Sequence, residues 1–241
     1  MTTGLSAVDV TVRHGGVAAL AGVDFAVAPG EIVGVIGPNG AGKTTLLDCL
    51  SGHTSPSAGR VMMDGVDVTA MGPARRARVG VGRTFQDALL FPTMSVVSTL
   101  LLALEPSPVV PALLGLPRWR AGERRRLAAA SVLAQAWGLG PYLDQAVGEL
   151  STGARRMVDL ACVMARRPRV VLLDEPSAGL GTAEATALVP LLGERFELSG
   201  AGVVLVEHDR PLVRGLASRI VVMEGGKVVA DGAPDEGPPT P

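Results

Sequence analysis

The stretch GPNGAGKTT, residues 37–45, restricts this chain more than any other. An apolar run that reads as a strand precedes it, and a helical pattern follows it. It matches G-x-x-x-x-G-K-[ST] in full. Gly37, Gly40 and Gly42 let the backbone curl so that N–H groups point inward, with Pro38, Asn39 and Ala41 between them. The start of the helix adds partial positive charge. Lys43 is expected to reach the β- and γ-phosphates of a nucleoside triphosphate, and Thr44, followed by Thr45, to hold Mg2+.

A second stretch, RVVLLDEPSAGL at 169–180, supplies the acids such a loop needs. Four apolar residues end in Asp174 and Glu175. A carboxylate at the end of a buried strand is costly without a cation partner. Mg2+ is the natural one for Asp174. Glu175 then points to where the γ-phosphate is attacked, where it can orient or deprotonate a water.

The rest of the chain bounds the answer. At 241 residues and 47% hydrophobic, it can bury a sizeable core. A net charge of −1 gives no electrostatic case for nucleic acid. Cys49 and Cys162 each stand in apolar, helix-like runs and read as reduced core residues. No basic region followed by an apolar core opens the sequence, so no signal peptide is expected. No apolar run approaches the roughly 18 to 20 residues that span a bilayer. A membrane role would have to come through a partner.

Strands are expected at 8–12, 23–27, 31–36, 170–173 and 203–206, with a hairpin pairing 219–223 and 227–230. Two short strands should flank the Asp64-Gly65 turn. The continuous apolar runs at 170–173 and 203–206 suit strands buried on both faces of a parallel sheet. Between 94 and 146 the pattern turns helical, broken by a Pro-rich stretch at 106–117. Residues 118–126 hold five Arg and read as a solvated helix face. The apolar stretch 89–97 reads either as core or as an edge for a partner helix, with Leu90 and Phe91 exposed in the second case. From Ala233 the chain is rich in Pro, Gly and acid, as a flexible tail would be.

A phosphate loop alone leaves kinases, GTPases and recombination ATPases open. Three further features narrow the choice. Gln86 lies in GRTFQD, His208 lies in VVLVEHD, and ELSTGARR at 149–156 precedes the acidic strand. In this order, from about residue 8 to 232, the chain resembles the ATP-binding subunits of ABC transporters. RHGGVAAL at 13–20, RTFQ, LFPTMSV at 90–96 and the variant signature LSTG resemble the branched-chain amino-acid importer type.

That resemblance implies an α/β fold. Its parts would be a P-loop NTPase core with a mixed sheet, an N-terminal antiparallel β subdomain and an inserted helical signature subdomain. It implies one ABC ATPase domain over 1–232, with the helical part at about 94–165 and a tail at 233–241. Two such subunits would close head to tail on two ATP molecules. Leu150, Ser151, Thr152 and Gly153 would face the partner's γ-phosphate, with Ser151 also placed to cap its own helix. Gln86 would contact Mg2+ or water and pass the state of the site to a membrane subunit. Glu175 would be the catalytic base, and His208 would contact the γ-phosphate. Ser177, Ala178, Gly179 and Leu180 would form the D-loop. The implied cofactors are ATP and Mg2+. The implied partners are a second ATPase subunit, integral-membrane permease subunits and an external substrate-binding protein, with no nucleic acid. The implied place is the cytoplasmic face of the membrane, held peripherally.

Four positions depart from the family pattern. His14 stands where an aromatic ring usually stacks on adenine. Thr152 replaces the first Gly of the signature, Ala154 replaces Gln, and Gly181 stands where Asp or Asn is usual. These departures motivate a second reading, a non-hydrolytic nucleotide-binding subunit paired with a more active ATPase. A soluble ABC protein of DNA repair or ribosomes is a third class. Two ATPase halves or long coiled-coil insertions would mark it, and this chain has neither.

Overall fold

The computed structural model describes residues 4–85, 90–104 and 117–234, the side chains of 117–123 apart. Gln86 and the segment beside it lie outside these residues, as do most of the Pro-rich stretch and most of the expected tail. The chain divides into two compact units, one of Met1–Gln86 with Pro168–Pro241, the other of Asp87–Arg167.

The first unit holds two sheets. β1 (Leu5–His14), β2 (Val17–Val27), β4 (Ala58–Met63) and β5 (Val66–Asp67) form an antiparallel sheet in the order β2-β1-β4-β5. The Asp64-Gly65 turn joins β4 to β5, with Met63 opposite Val66. The second sheet takes in β3 (Ile32–Ile36), β6 (Val81–Arg83), β7 (Val170–Asp174), β8 (Gly202–Val206), β9 (Arg219–Glu224) and β10 (Lys227–Gly232). Its order is β10-β9-β3-β8-β7-β6. Only β10 runs antiparallel to its neighbour, so the sheet is mixed. Every residue of β7 and β8 is buried. Their unbroken apolar runs therefore pack on both faces, as parallel strands of an α/β sheet do.

The helices of this unit are α1 (Lys43–Ser51), α2 (Pro73–Arg78), α6 (Thr182–Ser199) and α7 (Arg210–Leu216). α1 begins at Lys43, inside the phosphate loop, with Gly42 as its N-cap in a left-handed conformation at φ 101°. Leu46, Leu47, Cys49 and Leu50 of α1 are fully buried and join one core with Val33, Val35, Leu172 and Val204. At the far end of α1, Arg76 is wholly buried. Its guanidinium donates to the carbonyls of Cys49 and Leu50, and to those of Val68, Thr69 and Met71 in the loop opposite. The buried cation thus ties the last turn of α1 to the 68–71 loop, adding to the Gly52 N–H that already bonds Cys49 O.

The second unit contains α3 (Val96–Leu104), α4 (Pro117–Ala136) and α5 (Thr152–Ala165). Val96, Leu100, Ala130, Ala134, Trp137, Val158, Leu160 and Ala161 are buried within it. Cys162 is partly buried and Cys49 wholly so, and neither is in a disulfide. Burial pushes the Cys49 thiol up to about 11 and the Cys162 thiol up to about 12. So raised, neither thiol is set up as a nucleophile. Phe91 is 58% exposed and Leu90 half-buried. No helix among the described residues is long and apolar enough to cross a membrane.

Candidate functional site

The site follows from strand order. β8 lies between β3 and β7, all three parallel. Val206 of β8 is the partner of both Val35 on β3 and Asp174 on β7. The chain therefore leaves the sheet at one level in three places, into the loops that begin at 37, 175 and 207. Ligands of open α/β sheets bind at this carboxyl edge.

In the phosphate loop, Gly42 needs its glycine. A Cβ there would lie 2.6 Å from the Ala19 carbonyl oxygen, at a backbone angle side chains rarely adopt. As the N-cap of α1, Gly42 offers no side chain to its first turn. The hairpin between β9 and β10 braces the loop from behind: the Gly226 N–H donates to the Ala41 carbonyl at 3.1 Å. Lys43 is 7% exposed. Its ammonium folds back over the loop and donates to the carbonyls of Gly37 at 2.7 Å and Pro38 at 3.0 Å. Burial lowers its pKa, while the charges of Glu175 and Asp174 pull the other way. Thr44 is exposed and Thr45 half-buried.

Asp174 is 6% exposed, and burial raises its pKa against the opposing pull of Arg83. Here the structure adds to the sequence argument, which named Mg2+ as the natural cation partner: a buried arginine stands there as well. The Arg83 guanidinium approaches Asp174 Oδ2 at 3.4 Å. It also grips α1, through Asp48 Oδ1 at 2.6 Å and Ser51 Oγ at 2.8 Å, and lies 4.9 Å from the centre of the Phe85 ring. Arg83 was missed because its partners are 35 and 91 residues away in the chain. Only the pairing of β6 with β7 brings it to Asp174.

The donors fit Mg2+. Thr44 offers an exposed hydroxyl and Asp174 a carboxylate, both hard oxygens. Among the described residues no group of three or more His, Cys, Asp or Glu could hold a metal ion. Two hard oxygen donors suit an ion that takes its other ligands from phosphate and water, as Mg2+ does.

Glu175 adopts a left-handed φ of 47°, uncommon for a residue with a side chain. Its N–H donates to Val206 O at 2.9 Å, and its Oε1 lies 3.1 Å from His208 Nε2. Past it, the Ala178 N–H donates to Glu175 O and the Leu180 N–H to Ser177 O. Gly179 takes φ 77°. Gly181 opens α6 with its N–H held by Glu184 Oε2 at 3.1 Å. Glu207 was also missed by sequence reasoning. It is 3% exposed and accepts backbone N–H bonds from Ser177, His208 and Asp209. The available signal was a carboxylate directly after an unbroken apolar strand, where it must find donors.

The structure thus brings Lys43, Asp174, Glu175 and His208 to one edge of one sheet. His14 ends β1, exposed, with the exposed Val17 as its partner across the hairpin. Gln86 lies outside the described residues. The signature residues belong to the second unit. There Leu150 is buried, and Ser151 caps α5 by accepting the Ala154 N–H at 3.2 Å. Thr152 and Gly153 form the first turn of α5 without a left-handed backbone.

The family model described as ABC transporter matches residues 20–178, which include the phosphate loop, the signature and both acids. The chain belongs to the ABC transporter family. It is an ABC-type ATPase by family and by fold. It is 36% identical over 230 residues to the high-affinity branched-chain amino acid transport ATP-binding protein BraF of Pseudomonas aeruginosa, covering 94% of this chain and 90% of that one. It is 34% identical to LivG of Escherichia coli K12, a protein of the same description, covering 96% and 92%. The Fe(3+) ions import ATP-binding protein FbpC of Streptomyces coelicolor is 37% identical, but this chain spans only 62% of it. Among solved structures, the ADP conformation of an ATP-binding cassette of an ABC transporter superposes with a TM-score of 0.83. It is 27% identical and covers 98% of this chain and 93% of that one.

Proposed function

We propose that this chain is the ATP-hydrolysing, energy-coupling subunit of an importer for branched-chain amino acids or related small polar compounds. The observation that carries the hydrolytic part is the Glu175–His208 contact of 3.1 Å, at the same sheet edge as Lys43 and Asp174. Glu175 takes the proton of the attacking water, a role within reach of a carboxylate fixed at the edge of a phosphate site. His208 contacts the γ-phosphate and holds Glu175 in place. Lys43 leaves the loop carbonyls for the β- and γ-phosphates. When bound, Mg2+ held by Thr44 and Asp174 neutralises charge on those phosphates. Gln86 reads the state of the site, and His14 offers its ring to the adenine. Leu150, Ser151, Thr152 and Gly153 act on the ATP of a second subunit, and the turn from Ser177 to Leu180 lines that junction.

The substrate class is supported by relatives matched over nearly their whole length on both sides, whereas the iron-import relative is matched over a part. The partners of this reading are a second ATPase subunit, membrane permeases and an external binding protein, with the chain held at the cytoplasmic face. Purified protein with Mg2+ should hydrolyse ATP, and Glu175→Gln should retain ATP while turnover falls by about 100-fold or more. Normal turnover in that variant would remove Glu175 from the role of base.

A further inference from the structure

We propose that Glu207 is a positioning residue that sets the geometry of the Glu175–His208 pair. The inference rests on the reading of that pair as the hydrolytic one. Both oxygens of the buried Glu207 carboxylate are occupied by backbone donors, and the donors come from two separate loops. Oε1 accepts the Ser177 N–H at 2.8 Å, and Ser177 is two residues past Glu175. Oε2 accepts the N–H of His208 itself at 2.8 Å and that of Asp209 at 3.3 Å. One rigid planar group therefore fixes the backbone beneath both members of the pair.

The need for such a clamp is visible in Glu175. Its left-handed φ of 47° is a strained conformation that persists only where the surroundings over-determine it. Among the bonds that hold it are Glu175 N–H to Val206 O, Ala178 N–H to Glu175 O, and Ser177 N–H to Glu207. The first two are backbone bonds that any sequence could make. The third depends on the side chain at 207. A neutral amide there cannot serve, because one of its two faces carries N–H donors and would oppose a backbone N–H. An aspartate keeps the charge but is one methylene too short to reach both loops. Neither change touches the phosphate loop, so nucleotide affinity should be spared while the pair loosens.

The test uses the purified full chain with Mg2+ and ATP, as wild type, Glu207→Gln and Glu207→Asp. ATP affinity, kcat and backbone hydrogen exchange over 175–180 and 206–210 are measured on each. Both variants should bind ATP within about threefold of wild type. Their kcat should fall about 100-fold, the cost of a misplaced reacting group. Exchange at Ser177 and His208 should quicken by about tenfold or more. A kcat near the wild-type value in either variant would overturn the proposal. So would a loss of ATP affinity in step with kcat, or a common drop in melting temperature, since those mark a merely structural residue. A wild type that binds no ATP would fail first and on its own, removing the functional reading and this one with it.

Discussion

Two helices in this molecule begin next to a motif expected to meet phosphate, and they begin differently. α1 starts from Gly42, which has no side chain to cap its first turn. α5 starts from Ser151, whose hydroxyl already accepts the Ala154 N–H. Both ends carry the same partial positive charge. Only α5 satisfies one of its orphan donors by itself. A glycine cap leaves the first-turn donors of α1 to a ligand, at little cost to the helix. A serine cap makes α5 stable as it stands, and its hydroxyl can do a second task only by keeping or sharing that bond. The loop at α1 is built around an anion. The loop at α5 answers one of its own donors without one.

The largest effect expected from this contrast is at Lys43. Its ammonium is buried on the loop carbonyls, held where phosphates would take it over. Lys43→Ala should weaken ATP binding by about 100-fold, the upper end for a charge-assisted hydrogen bond. Titration with a fluorescent ATP analogue would measure it. Affinity close to wild type would mean that the backbone and helix end alone hold the phosphates. A smaller effect is expected at Ser151. Ser151→Ala removes the α5 cap and should cost about 1 kcal/mol of stability, read by chemical denaturation. ATP affinity of the single subunit should not move, because in the proposed reading this helix end meets the nucleotide of a second subunit. A shift in that affinity would erase the distinction between the two helix starts.

What could be read in advance divides along the same physical line. The phosphate loop and the acids at 174 and 175 were legible because local sequence alone demands them. Glycines specify a curl, an apolar run specifies a buried strand, and a charge at its end needs a partner. The identity of that partner was not legible. Arg83, Arg76 and Glu207 look like ordinary surface charges in one dimension. Each has a side chain withdrawn from solvent, and each reaches at least one partner more than 25 residues away, through strand pairing or loop closure. Strand limits were misjudged for a local reason. β1 runs from Leu5 to His14, yet its alternation breaks near Asp9, which takes φ 50° at a register shift. Such an irregularity hides half a strand from a period-two pattern. α2 was missed because PARRAR has no apolar face to betray it.

The smallest expected effect settles a question the signature raised. A β-branched residue in place of glycine at 152 would distort the loop if that position required a left-handed backbone. It does not: Thr152 is the first residue of α5, directly after Ser151 at φ −59° and ψ 160°, and it is absent from the left-handed positions of the chain. Threonine there asks nothing of the backbone that other residues could not give. Thr152→Gly should therefore bring no release of strain. The added freedom of the unfolded chain should cost about 0.5 to 1 kcal/mol, and ATPase activity should stay within about threefold of wild type. A large gain in turnover would show that the threonine side chain obstructs a second subunit's phosphate. The obstruction would then lie in the assembled pair, since the helix start itself carries none.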